Sequence, residues 1–128
     1  MSFDWKDYIK LAEKLYNELN KNSMEEAYNR SVISRAYYGV FCLSRNKAGL
    51  EFYRPLHNTN DPGVHRKVIN HYKNSSKLEE KQAGKILDEL RIMRNKADYD
   101  GQKKTNIKDA EGANIKTKQV LNNLGISL

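Results

Sequence analysis

Ser34-Arg35-Ala36-Tyr37-Tyr38-Gly39-Val40-Phe41-Cys42-Leu43 is the longest nearly uncharged run in a chain whose residues are 30% charged. Its apolar and aromatic groups point off nearly every side of a helix. Neighbours must therefore pack around it rather than against a single stripe. A helix surrounded in this way is the centre of a bundle. Arg35 is the single charge in the run, and a charge withdrawn from water requires a partner. The candidate is Asp98, in a second informative stretch, Arg94-Asn95-Lys96-Ala97-Asp98-Tyr99.

The segments on either side share the helical period. Residues 4–19 place Trp5, Tyr8, Ala12, Leu15, Tyr16 and Leu19 on one face. The central helix opens on a capping box of Ser23 and Glu26 and extends to Lys47 or Ala48, with Gly49 as its stop. Ala27, Ile33, Ala36, Tyr37, Val40 and Leu43 fill one side of it, and Val32, Phe41 and Cys42 widen the apolar arc. Gly39, in its interior, is read either as a place for close approach of another helix or as a tolerated helix defect. Residues 49–61 form the one long irregular connection, whose Phe52, Tyr53 and His57 are expected to cover the core, with stacking on bases as the alternative.

A short third helix is expected to start at Asp61-Pro62 and to carry Val64, Val68, Ile69 and Tyr72 inward. A second capping box, Ser76 and Glu79, opens a fourth helix with Ala83, Ile86, Leu87, Leu90, Met93 and Ala97 in register. The fifth runs from about residue 106 to residue 124, with Ile107, Ala110, Ala113, Thr117, Val120, Leu121 and Leu124 inward and Gly125 as cap. The expected fold is all-α: an up-and-down bundle of four long helices plus a short one, forming a single domain over residues 1–128.

Composition narrows the function. Two prolines and seven glycines without repeated turn signals argue against sandwiches and barrels. No apolar run reaches the roughly 20 residues of a membrane span. The start of the sequence lacks an apolar signal core, and the single cysteine, Cys42, fits a buried thiol in a reducing cytoplasm. Net charge is +7, which suits nucleic acid or another acidic partner, although the charge is spread and Lys103-Lys104 is the strongest local pair. His57, His65 and His71 lack the spacing of a helical metal pair, and there is no glycine-rich phosphate loop, so no metal or cofactor is expected.

Two readings of the arginines remain. In one, Arg35 meets Asp98 and seats two helices, with Tyr37, Tyr38 and Tyr99 packed around the pair. In the other, Arg94 acts with Arg35 or Arg91 to grip a phosphate through the planar guanidinium fork. Arg94 and Asp98 are four apart and Arg91 is three before Arg94, so all three share a helical face. Arg66 and His71 also form an arginine–histidine string, but they lie five apart, on different faces of the short helix.

Arg35-Ala36-Tyr37-Tyr38-Gly39-Val40-Phe41, then His65 at a helix start, then Arg94-Asn95-Lys96-Ala97-Asp98-Tyr99 resembles the HEPN domain family over about residues 5–124. The likeness is to small prokaryotic members with an R-A-Y-Y-x-x-F helix and a downstream R-x-x-A-D-Y. It implies a four- or five-helix bundle that pairs as a homodimer. It also implies a protein partner of the minimal nucleotidyltransferase kind, in toxin–antitoxin or defence systems, or else metal-independent ribonuclease activity. By this likeness Arg35, Arg91 and Arg94 are the phosphate-binding candidates, while Tyr37, Tyr38, Asp98 and Tyr99 are motif residues of the scaffold. Ribonucleases of the family carry a histidine four to six residues after the later arginine. This chain has none after Arg94, so a nucleotide- or RNA-binding module is the first expectation. An endoribonuclease using Arg94, Asp98 or His65 is the alternative, and a purely structural dimerisation protein is a third.

Overall fold

The structure, a computed structural model, describes residues 3–18, 24–55 and 63–128. Among these residues five helices form and no strand: α1 (Lys6–Asn17), α2 (Glu25–Lys47), α3 (Val64–Lys73), α4 (Leu78–Tyr99) and α5 (Ile107–Leu124). The all-α bundle expected from periodicity is what the chain adopts. At 12 residues α1 is nearly as short as α3, which has 10. No helix of the described residues is long and apolar enough to cross a membrane.

The central run behaves as its pattern requires. α2 packs on all four of the other helices, and its Val32, Ile33, Ala36, Tyr37, Val40, Phe41 and Cys42 are all buried. Burial raises the Cys42 thiol pKa above its ordinary value, as expected for a thiol within the core. Gly39 is where α1 crosses most closely: a Cβ there would lie 2.7 Å from Ile9 Cγ1 and 3.1 Å from the Trp5 carbonyl oxygen. Ile9, outside the expected α1 face, is accordingly one of the two buried residues of α1. A second close crossing, absent from the sequence reading, joins α3 to α4. A Cβ on Gly84 would lie 2.6 Å from the Lys73 backbone nitrogen.

Helix ends were harder to place. Ser23, Leu19, His57 and the Asp61-Pro62 start lie outside the described residues. α3 begins at Val64 after Gly63, whose φ of 91° is a left-handed-side conformation that favours glycine. The expected Ser76–Glu79 capping box does not form. Instead Ser75 organises the entry to α4: its Oγ accepts from the Lys77 N–H at 3.1 Å and donates to Glu80 Oε1 at 2.5 Å. α5 carries the capping box that the sequence reading missed, Asn106 with Asp109, at 3.0 Å in both directions. It ends on Gly125 in the left-handed region, as expected. Phe52 is a correction: it is 82% exposed, so it does not cover the core.

The clamp between α2 and α4 is also not the expected one. Arg35 and Asp98 do not pair. α2 turns only a narrow strip to solvent along its buried middle, and Arg35 lies on that strip, exposed, its guanidinium 5.0 Å from the centre of the Tyr8 ring. The cation that joins the two helices is Arg30. It donates to the carbonyls of Ala97 at 2.8 Å, Lys96 at 3.2 Å, Asp100 at 3.0 Å and Lys103 at 2.7 Å. Glu26 holds the same guanidinium at 2.9 and 3.1 Å. Arg30 thus ties the last turn of α4 and the loop after it to α2, with the Lys96 carbonyl also accepting from the Asp100 N–H at 3.0 Å. Asn29 extends the clamp by donating to the Thr105 carbonyl at 3.2 Å.

Candidate functional site

The helical period of α4 brings Arg91, Arg94 and Asp98 to one side, where they meet Ser34, Tyr37 and Tyr38 of α2 and His65 from the first turn of α3. Arg94 is only 6% exposed. Its guanidinium carbon lies 5.4 Å from the Tyr37 ring centre, 5.0 Å from Tyr38 and 5.8 Å from Tyr99. Three ring faces thus offset part of the cost of withdrawing this cation from water. The carboxylate opposite it is loosely held: Asp98 Oδ2 is 3.6 Å from Arg94 Nη1 and 3.3 Å from the Ser34 hydroxyl that donates to it. A strong charge-assisted bond would measure about 2.7–2.9 Å.

His65 closes the other side. Its ring stacks on Phe41 at 4.2 Å between centres, and its Nδ1 is 2.6 Å from the Tyr37 hydroxyl. Burial, then the positive charges of Arg91 and Arg94, push its pKa down to about 4. At neutral pH the imidazole is therefore uncharged. Burial likewise pushes the Tyr37 phenol far above its ordinary value, so it keeps its proton. The tautomer in which Nδ1 accepts that phenolic proton carries its own proton on Nε2.

Charge and hydrogen bonding do not balance here. The Nε atoms of both Arg91 and Arg94 are buried and have no hydrogen-bond partner. Arg91 forms no ion pair with a described carboxylate, whereas Arg66, Lys73, Lys116 and Lys118 each have one. Two guanidinium groups therefore face one long carboxylate contact. The planar guanidinium fork is the side-chain group suited to bidentate contact with a carboxylate or phosphate.

Of the residues singled out from sequence, the fold brings together Arg91, Arg94, Asp98, Tyr37, Tyr38, Tyr99 and His65. It excludes Arg35, whose side chain lies on α1 instead. Arg66 and His71 do not form a site: Arg66 bonds Asp88 at 3.3 Å, and His71 is exposed beside the Tyr72 ring. Ser34 was missed, although it stands three and four residues before Tyr37 and Tyr38, on the same face. Several concavities of the described surface lie elsewhere. One of about 250 Å³ is lined by Ile33, Met93, Ala97, Lys96, Lys103 and Lys104.

Comparison of the chain with protein-family models, with curated proteins and with solved structures finds no significant match.

Proposed function

We propose that this chain is a HEPN-type binding module for a phosphate-bearing ligand, RNA or nucleotide. In this reading it works as a homodimer, beside a protein of the nucleotidyltransferase kind, in a toxin–antitoxin or defence system. The observation that carries the ligand class is the pair of buried, unpartnered Nε atoms on Arg91 and Arg94. A buried donor without an acceptor costs about 1–3 kcal/mol. A phosphate oxygen is the acceptor that two adjacent guanidinium groups fit best.

A second reading, a metal-independent endoribonuclease, is favoured by one specific observation: His65 stands against Arg91 and Arg94, near enough for their charges to lower its pKa. Its protonation state argues against complete catalysis. A histidine neutral down to about pH 4, with Nδ1 engaged by the Tyr37 hydroxyl and its proton on Nε2, offers no free lone pair to a ribose hydroxyl at pH 7. Binding therefore ranks before cleavage.

The deciding experiment incubates total tRNA and a long mRNA with the protein in chelator, and measures RNA affinity against salt in parallel. Salt-sensitive binding without cleavage supports the binding module, because phosphate contacts release counterions. Cleavage that His65→Gln abolishes establishes the nuclease. Neither binding nor cleavage leaves the cluster as scaffold.

A further inference from the structure

We infer that Asp98 is a built-in competitor, a carboxylate that occupies the position a ligand anion takes and must leave before Arg94 can bind it. This rests on the anion-binding reading above and adds the regulation of that site. Asp98 Oδ2 stands between Arg94 Nη1 at 3.6 Å and the Ser34 hydroxyl at 3.3 Å. Both distances are long for a carboxylate of this kind. Its side chain is 25% exposed, against 7% for that of Arg94, so the acid can swing to water while the arginine stays seated among its tyrosines. One rotation of Asp98 therefore releases an Arg94 N–H and the Ser34 O–H together. These donors join the unpartnered Nε atoms of Arg94 and Arg91.

A competitor of this design lowers apparent affinity for every anion without deciding which one binds. A partly exposed ion pair contributes at most about 1 kcal/mol, which corresponds to about a fivefold change in affinity. The opposing explanation is that any lost negative charge strengthens anion binding. Glu89 separates the two, because it lies on the same helix, carries the same charge, and is bound to Lys116 at 2.7 Å rather than to Arg94.

The test measures binding of a short fluorescent oligouridylate, with inorganic pyrophosphate as competitor, to the wild type, Asp98→Asn and Glu89→Gln at low salt. Asp98→Asn should bind both probes about three- to fivefold more tightly, and Glu89→Gln within about twofold of wild type. Equal gains in the two variants overturn the competitor. Weaker binding by Asp98→Asn also overturns it and makes the carboxylate a ligand contact. No binding by any of the three proteins overturns the anion-binding reading itself.

Discussion

The hydroxyl of Tyr37 and Nδ1 of His65 lie 2.6 Å apart, joining the middle of α2 to the first turn of α3. α2 and α3 otherwise pack only lightly, the least of any packed pair among the described residues. This bond and the stacking of His65 on Phe41 therefore set where α3 begins relative to the arginines. The same contact gives the protein a pH dependence.

The folded-state pKa of His65 is depressed to about 4 from its ordinary 6.5. Between those values the unfolded chain takes up a proton that the native state refuses, so stability rises with pH across this window. The contribution is complete above pH 6.5 and is lost as pH falls toward about 4. Its size should be about 2 kcal/mol after allowance for partial exposure. Glu26 and Asp88, whose pKa values are lowered, lose their contribution only in the more acidic carboxylate range. Urea unfolding at pH 7 and pH 5 should show the decline in the wild type and a flatter profile in His65→Gln.

Arg30→Met should be among the most damaging single changes outside the apolar core. It removes the donor shared by four carbonyls of the α4 end and the loop after it, of which Lys96 keeps the Asp100 N–H, and leaves Glu26 without its arginine. Hydrogen bonds to a charged group contribute about 1.5–3 kcal/mol each, with strong overlap within one cluster. A loss of about 2–4 kcal/mol is expected, with faster amide exchange over residues 96–105. Unchanged exchange there would refute the clamp.

Gly84→Ala should destabilise by about 1–3 kcal/mol despite the better helix propensity of alanine. The new methyl meets the Lys73 backbone nitrogen at 2.6 Å, and backbone cannot rotate away. Gly39→Ala meets the Ile9 side chain at 2.7 Å and the Trp5 carbonyl at 3.1 Å, and should cost a similar amount. Thermal melts of both variants check this. A higher Tm in either would mean that the crossing is looser than its geometry.

If the arginine cluster binds RNA, Arg91→Gln should weaken affinity and reduce the steepness of its salt dependence by about one unit in the log–log plot. Arg35→Gln should do so less, because that guanidinium lies over Tyr8, away from the cluster. Equal losses for the two would point to diffuse attraction by the +7 surface.

Much of this was legible in the residues. The run from Ser34 to Leu43 identified the buried central helix, because apolar groups at every azimuth leave no other solution. The spacing of Arg91, Arg94 and Asp98 placed them on one face of α4, since helical period is a local property. Gly49 and Gly125 marked turns that need positive φ. Three things were beyond it. Arg30 rather than Arg35 clamps α4, because the choice depends on the rotation of α2 against its neighbours, and main-chain carbonyls leave no mark on composition. Gly84 reads as a helix defect until α3 is packed against it. His65 was singled out by resemblance alone; its surroundings appear only when α3 seats it between Phe41 and Tyr37, and its neutrality follows from that burial. Local pattern decided which residues are helical and which faces are apolar, since those depend on neighbours a few residues away. Long-range packing alone decided which cation is satisfied, which is left with open donors, and which histidine joins them.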